Sequence, residues 1–517
     1  MLSTELVPAT SDRVFRATAV RSETTAADAF LPAPAQVDNG DEARYPDKSG
    51  TYTKGILQSG IGIVDPAAYE TFKRALSTGA QADFNKIILG GPRTLNGPQG
   101  GLAFYLDSLD ASQFVVPPAP ALQSEAYATE LIELYWASML RDVAFTDYAG
   151  NGTATDAAAE LTALHHHYAG PRDATGNVTP ALLFRGPFVG ETDGPYISQF
   201  LLQPTALGAL PIDQKYKTFP ANADFVTTDD DFQKVQNGQV AQSGPASGPT
   251  LYLHDGRGLA AYTHDDVLYQ AYFIAYLVLN TLKCPQNPGN PYIGSKIENG
   301  FATLGQPDIA ATLAAVANEA LKAVWYQKWF VHLRHRPESG GAIVALIKTG
   351  RGDTIDGNVS STVLDSNAVK ASFAANNNSY YLSQAFPEGS PTHPAYPTGH
   401  GTVAGACITA LKFFFDGSFT IPAPVMPTAD GTSLSPYAAP VGHGLTVNGE
   451  LNKLAHNISF GHGIHAGIHW RSDTDTSIQL GEAIALSYLQ DRAHTYNEKF
   501  EVSLQKVDGT TVTISHR

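Results

Sequence analysis

Cysteine and basic residues are scarce in this chain of 517 residues. Cys284 and Cys407 are the only cysteines, which is too few for a disulfide framework or a thiolate metal site. Lysine and arginine total 33 against 49 acidic residues, so the formal net charge is −16. This charge argues against nucleic acid or an anionic membrane as a partner. It suits a protein that concentrates its few cations at one anion-binding site.

Long apolar runs are also missing. The longest one, near residues 267–282, is interrupted by Gln270 and Asn280, so it predicts a buried helix and no membrane span. Residues 1–34 contain no continuous apolar segment of the kind that a secretory signal requires. We therefore expect no signal peptide, and the location is cytoplasmic or left unassigned.

Helical periodicity dominates the remaining sequence and predicts a nearly all-α fold. Residues 1–60 are rich in Ala, Pro, Thr and Ser and predict an extended arm. Residues 61–255 and 256–517 are predicted to form two helical halves, the second of which carries the chemistry. The clearest predicted helices are 66–79, 123–143, 265–283, 307–334, 397–415, 448–462 and 472–494. The chain end alternates around Asp508-Gly509 and predicts a minor β-hairpin.

The stretch YPTGHGTVAG, residues 396–405, joins a helix start to candidate anion ligands. Proline tolerates the first turn of a helix, and the first N–H groups of a helix have no partner inside it. Thr398, Gly399 and His400 would therefore lie at an exposed amide cluster at the positive end of the helix dipole, which favours an anion. Taken alone, the stretch is explained more simply as a capped helix with an incidental histidine.

Two other stretches supply cations and a second histidine. Lys328 and Arg336 are eight positions apart, so a helix would present both to one ligand. His469 follows Gly467 by two positions and precedes a predicted helix start. In chain order, the sequence has a lysine and an arginine, then a hydroxyl residue followed by glycine and histidine, and finally a G-x-H motif. This combination resembles the vanadium-dependent haloperoxidases. That family shares this signature with the type 2 phosphatidic acid phosphatases.

Runs outside these motifs also resemble the bromoperoxidase branch of red algae and cyanobacteria. They are VDPAAY (64–69), DDVLYQAY (265–272), LKAVWYQKWFVH (321–332) and LGEAIA (480–485). The likeness extends from about residue 50 to about residue 495. It implies a fold of two four-helix bundles, a bound vanadate, and oxidation of halide by hydrogen peroxide.

The resemblance also implies roles for individual residues. The vanadate oxygens would be bound by Lys328, Arg336, the Thr398 hydroxyl and the Gly399 amide. His469 would supply the nitrogen bonded to the metal, and His400 would be the acid–base group. His393 matches a histidine of the bromoperoxidases, which makes it a third candidate catalytic residue and favours bromide over chloride.

Three positions depart from the family pattern. Thr398 stands where serine is usual, and Trp325 stands where the algal enzymes have an arginine. The family places a vanadate-binding arginine six residues before the metal-bound histidine, and here that position is Gly463. If the chain has one residue inserted relative to the family, His462 takes the place of that arginine and could donate a hydrogen bond to the oxyanion. Loss of a fixed cation should weaken anion binding by about 1.5–3 kcal/mol.

Three functions are compatible with these residues. The leading interpretation is a vanadate-dependent peroxidase that oxidises bromide, with chloride or iodide as alternatives, and halogenates small organic substrates. The second interpretation is a phosphomonoester hydrolase with His469 as nucleophile, because phosphate has the shape and charge of vanadate and could occupy the same site. The third is a member without redox chemistry that acts as an isomerase or a binding protein. The runs outside the motifs favour the first.

Two further expectations concern binding partners. The acidic run Asp229–Asp231 could bind calcium, although three carboxylates in a row are a weak signal. The N-terminal arm, the acidic surface and the multimeric habit of the bromoperoxidases predict a homo-oligomer, a dimer or larger.

Overall fold

The computed structural model describes residues 11–244, 247–440, 442 and 444–516, and helices dominate them. The α-helices are α1 Ser11–Ala29, α2 Asp41–Arg44, α3 Pro66–Thr78, α4 Gln81–Phe84, α5 Glu125–Met139, α6 Gly152–Ala163, α7 Asp229–Gln236, α8 Gly256–His264, α9 Gln270–Thr281, α10 Gln306–Tyr326, α11 Pro337–Lys348, α12 Ser361–Leu364, α13 Asn367–Ala375, α14 Gly399–Phe414, α15 Val447–Phe460 and α16 Arg471–Ala493. Two π-helical turns, Gln327–His332 and Gly461–His465, continue α10 and α15.

The strands form short antiparallel pairs and no larger sheet within the described ranges. They are β1 Gln58–Gly60 with β2 Ile63–Val64, β3 Thr205–Leu207 with β4 Leu210–Ile212, β5 Tyr216–Lys217 with β6 Thr250–Leu251, β7 Val425–Pro427 with β8 Leu434–Pro436, and β9 Phe500–Gln505 with β10 Thr511–His516. The all-α prediction is confirmed, and β9 with β10 is the predicted terminal hairpin. No helix in these ranges combines the length and hydropathy needed to cross a bilayer.

The predicted extended arm is helical over much of its length. Helix α1 occupies residues 11–29, while residues 1–10 lie outside the described part of the chain. Val14 and Phe15 on this helix are exposed, so contacts within the chain leave these apolar side chains of α1 uncovered. The prediction of an extended conformation is therefore wrong for residues 11–29. The division into halves at residues 61–255 and 256–517 stays a prediction.

One predicted helix begins later than its sequence pattern indicates. The apolar pattern from residue 265 predicts a helix from 265 to 283, whereas α8 ends at His264 and α9 starts at Gln270. The break allows the carboxylate of Asp266 to reach the ring of His400, 2.9 Å away. A tertiary contact therefore overrides local helix propensity at this point.

The helices gather in two groups, and α14 is the centre of the second. Every residue of α14 except His400 is buried, as expected of a helix that is apolar on all sides. Helices α10, α15 and α16 pack around it. In the first group, α5 is surrounded by α6, α11, α12 and α13. The N-terminus of α14 is the point to which the candidate site residues converge.

Helices α14 and α16 approach each other backbone to backbone. A Cβ atom at Gly405 would lie 2.0 Å from the carbonyl oxygen of Ile478, and one at Gly481 would lie 1.9 Å from that of Thr402. Both distances are far below van der Waals contact, so the two glycines set the spacing of the central helices.

We expect Gly481→Ala to lower the free energy of unfolding by at least about 1–3 kcal/mol, because the added methyl group must push α14 and α16 apart. Gly152→Ala, at the exposed start of α6, is the matched control, since nothing lies within 4 Å of its added Cβ. Urea unfolding curves measure both. Equal midpoints for the two variants would contradict the close approach.

Candidate functional site

Four segments of the chain meet at the N-terminus of α14. They are the first π-helical turn with the residues after it, the loop 393–398, the second π-helical turn, and the loop before α16. They carry the predicted site residues Lys328, Arg336, His393, Thr398, Gly399, His400, His462 and His469. All of these are buried except His400, which is partly exposed. The structure therefore brings the whole predicted set together.

The ring of His469 is fixed from both sides. Its Nδ1 lies 2.8 Å from Oδ2 of Asp473, and its Nε2 lies 2.7 Å from Nη1 of Arg336. A carboxylate can only accept, so Nδ1 carries the proton and Nε2 keeps its lone pair. Burial, with Arg336 and Lys328 nearby, lowers the pKa of His469 well below its ordinary value. A neutral imidazole oriented by a carboxylate is the typical form of a metal-binding histidine.

Asp473 and Arg334 complete this arrangement, and neither was predicted from the sequence. Oδ1 of Asp473 accepts from Nη1 of Arg334 at 2.6 Å, and Nη2 of Arg334 donates to Glu130 at 2.9 Å. Asp473 follows His469 by four positions and Arg334 precedes Arg336 by two. The i,i+4 spacing of His469 and Asp473 is the signal that could have identified the pair.

The two predicted cations are held by carbonyl oxygens. Nζ of Lys328 donates to the carbonyls of Pro394 and Ala395 at 2.8 and 2.7 Å. Nε of Arg336 donates to the carbonyl of His393 at 2.9 Å. Burial lowers the pKa of Lys328 well below its ordinary value and that of Arg336 to about 10. Neutral carbonyls position these cations without cancelling their charge, which favours an anion beside them.

Two of the predicted site residues carry a buried polar atom that has no hydrogen-bond partner among the described residues. These atoms are the Thr398 hydroxyl oxygen and Nδ1 of His462. Leaving such groups unpaired costs free energy, so they indicate a ligand with several acceptor atoms. Gly399 begins α14 beside them, where the first amides lack partners inside the helix. Two cations, a hydroxyl, an imidazole and helix amides together suit a tetrahedral oxyanion such as vanadate or phosphate.

His400 forms a second carboxylate–histidine pair at the same helix start. Its Nε2 lies 2.9 Å from Oδ1 of Asp266, so Nε2 carries the proton and Nδ1 is left to accept one. Asp266 belongs to the run DDVLYQAY, but no role for it was predicted from the sequence. Its significance depends on the break between α8 and α9, which the apolar pattern conceals.

The second π-helical turn includes the departure at positions 462 and 463. Such a turn contains one residue more than an α-helical turn, which matches the one-residue insertion that would bring His462 into the place of the family arginine. The ring of His462 stacks on His400, with centroids 3.8 Å apart, and lies 5.5 Å from the ring of His469. A Cβ at Gly463 would lie 3.0 Å from Cβ of His469. His462 therefore presents its side chain to the site, while a side chain at 463 would crowd His469.

His393 and Trp325 form one wall of the site. Their ring centroids lie 4.8 Å apart, and Nε1 of Trp325 donates to the carbonyl of Asn96 at 2.9 Å. Nη2 of Arg336 lies 3.0 Å from Nδ1 of His393. Burial and the nearby cations Arg336 and Lys328 lower the pKa of His393 well below its ordinary value. His393 is therefore a neutral acceptor beside the cations, and Trp325 adds an indole face.

The acidic run at the start of α7 is engaged elsewhere. Asp229 pairs with Arg351 at 2.6 Å, and Asp230 pairs with Lys234 at the same distance. The described ranges contain no group of three or more His, Cys, Asp or Glu side chains placed to hold a metal ion. Calcium binding by this acidic run stays a prediction.

Comparison with known proteins identifies the family. A sequence model described as the VCPO second helical-bundle domain matches residues 308–498. The vanadium-dependent bromoperoxidase of Corallina officinalis is 31% identical, over 92% of this chain and 94% of the relative. That of Ascophyllum nodosum is 30% identical, over 93% and 88%.

A solved structure agrees with these sequence relatives. The homohexameric second vanadate-dependent bromoperoxidase of Ascophyllum nodosum superposes with a TM-score of 0.91. It is 27% identical, and the match covers 99% of this chain and 93% of that one. The predicted architecture of two four-helix bundles is thereby confirmed. The chain belongs to the vanadium-dependent haloperoxidases, in their bromoperoxidase branch.

Proposed function

We propose that this protein is a vanadate-dependent bromoperoxidase, which oxidises bromide with hydrogen peroxide to a hypohalous-acid-like species that halogenates small organic substrates. One observation carries the proposal. The buried guanidinium of Arg336 lies 2.7 Å from Nε2 of His469, which Asp473 holds in the metal-binding tautomer, and Lys328 is near enough to lower the pKa of that ring. The bromoperoxidases similar along most of this chain support the same chemistry.

The residues of the site suit vanadate as the resident cofactor. Lys328, Arg336, the Thr398 hydroxyl and the Gly399 amide would bind its oxygens, and Nε2 of His469 would bind the metal. When bound, vanadate supplies a Lewis acid that activates hydrogen peroxide for attack by halide. The same donors recognise any tetrahedral oxyanion, so we expect phosphate to compete with vanadate.

His400 is proposed as the acid–base group. Asp266 accepts the proton on Nε2 and thereby leaves Nδ1 able to take a proton and return it. The side chain of His400 is 13% exposed, so solvent and hydrogen peroxide can reach it. His393 lies beside Trp325 and Arg336, and we propose that it contributes to the preference for bromide.

We expect His469→Ala to abolish vanadate binding and His400→Ala to keep it while losing bromination by about 10²–10⁴-fold. The reason is that one residue supplies the bond to the metal and the other moves a proton. Equilibrium dialysis with orthovanadate measures binding, and bromination of a phenolic dye with peroxide and bromide measures turnover. The control is His166→Ala, which removes an exposed histidine that is not among the site residues.

Either of two results would overturn these assignments. One is vanadate binding of parental strength in His469→Ala, and the other is near-parental bromination in His400→Ala. If neither the parent protein nor His166→Ala brominates the dye after loading with orthovanadate, the proposed activity itself is wrong.

His462 is proposed to add a neutral hydrogen bond to the anion. Burial, with His400 and His469 nearby, lowers its pKa well below the ordinary value, and its Nδ1 is unpartnered among the described residues. We expect His462→Phe to weaken vanadate binding by about two- to tenfold, because one uncharged donor is lost. His462→Gln keeps a donor and should weaken it less. Parental affinity in His462→Phe would remove this residue from the cofactor site.

We also propose that the protein is a homo-oligomer. Helix α1 exposes Val14 and Phe15, and a structurally similar bromoperoxidase is homohexameric. We expect light scattering to give a mass of at least two chains. Removing residues 1–29 should lower that mass, because the exposed apolar side chains of α1 would no longer contact a neighbour. A single-chain mass for the full-length protein would contradict the proposal.

A further inference from the structure

A cavity of about 280 Å³ lies next to the second π-helical turn and apart from the vanadate site. Its lining includes Phe145, Tyr148, Arg185, Tyr196, His254 and Tyr437, and we refer to it as the aromatic cavity. The Tyr196 hydroxyl lies 2.9 Å from Nε2 of His465 in that turn. None of the residues proposed to hold vanadate lines the cavity.

The walls of the aromatic cavity are suited to a planar apolar group. Phe145 stacks on Tyr196 with ring centroids 3.7 Å apart and planes 10° apart, and the edge of Tyr148 meets Phe145 at 5.5 Å. Met426 lines the cavity as well and supplies an adaptable thioether. Aromatic rings bind other rings by stacking and by edge contacts, so these walls favour an aromatic ligand.

A cation lines the same cavity. Arg185 is 8% exposed, and its three guanidinium nitrogens donate to the backbone carbonyls of Ala181, Glu191 and Gly194 at 2.8–3.0 Å. Three of its five N–H groups are thereby used, and two remain. Its guanidinium also lies 5.3 Å from the ring centre of Tyr196.

The carboxyl groups around Arg185 leave its charge uncancelled. Burial raises the pKa of Glu191 well above its usual range, which favours its uncharged form, and Glu450 pairs with Lys453 at 2.6 Å. Arg185 itself forms no ion pair with any described carboxylate. A buried guanidinium without a counter-ion is costly, and an anion in the cavity would remove that cost.

A second polar group of the cavity also lacks a partner. The Tyr148 hydroxyl is buried, on a residue 2% exposed, and no described residue forms a hydrogen bond with it. Asp255 is near but does not line the cavity, and its carboxylate has other partners: Oδ1 accepts from the Gly258 amide and Oδ2 lies 3.5 Å from Nε2 of His254. Tyr148 therefore remains a free donor for a ligand.

We propose that the aromatic cavity binds a small aromatic carboxylate, whose ring lies against the aromatic walls and whose carboxylate takes the free N–H groups of Arg185 and the Tyr148 hydroxyl. Guanidinium and phenol donors match a carboxylate, and the volume suits a single-ring compound more than a drug-sized one. This site does not depend on the vanadate chemistry.

The test uses 4-fluorobenzoate as probe and the full-length protein, with ¹⁹F NMR as the readout. We expect saturable binding of one probe per chain, displaced by benzoate and not by the uncharged benzamide. The titration is run without and with saturating orthovanadate. Binding in the aromatic cavity should persist with vanadate, whereas binding at the vanadate site should be lost.

Variants locate the probe. Arg185→Gln should weaken binding at least about tenfold, and Tyr148→Phe should weaken it severalfold, because each removes a donor to the carboxylate. Tyr148→Phe breaks no hydrogen bond of the described residues, so it carries the test if Arg185→Gln unfolds. Tyr272→Phe is the matched control, since it removes another buried, unpartnered hydroxyl that lies outside the cavity, and it should bind as the parent does.

The proposal is overturned by any of four results. They are no saturable binding, loss of binding when vanadate is added, equal binding of benzamide and benzoate, and parental affinity in Tyr148→Phe. Loss of bromination in the enzyme would leave the aromatic cavity unaffected, so failure of this test is distinguishable from failure of the proposed activity.

Discussion

Asp473 joins the separate segments of the site, and their geometry depends on its four hydrogen bonds. Its carboxylate accepts from His469, from the Trp470 amide and from Arg334, and its carbonyl oxygen accepts from the Thr398 amide. One fully buried residue thus fixes the loop before α16 and the start of α14 with respect to each other. Because Arg334 balances its charge, Asp473 can orient an imidazole without neutralising the cations that face the anion.

Two side chains supply the positive charge that faces the anion at this site. Lys328 and Arg336 provide the positive field, and that field, together with burial, keeps His393, His462 and His469 neutral. Neutral rings can offer a lone pair or a single donor, so each histidine contributes a directed contact and no further charge. Of these rings, His462 is the one proposed to stand where the family has an arginine. The affinity of the site for an oxyanion consequently rests on two cations and on the amides of α14.

The sequence predicted the residues whose chemistry is visible in their type and spacing, such as Lys328 with Arg336 and the glycine–histidine pair at 399–400. It also predicted the central helices, because their apolar periodicity is long and unbroken. It did not predict a role for Asp266. That role depends on a loop between α8 and α9, within a stretch whose apolar pattern predicts a continuous helix. The π-helical turns were missed because an extra residue in a turn changes register without changing composition. Such features depend on tertiary contacts and have no local signature.

The second π-helical turn has a consequence for how such a site can change. Removing one residue from it would restore an α-helical turn and rotate every preceding side chain of α15 by about 100° relative to those that follow. A different side chain would then face His400, although no codon for a ligand had been altered. The number of residues in a helical turn thus determines which side chains face the site, independently of which residues the helix contains. A single insertion or deletion there can exchange the donors around an anion in one evolutionary step.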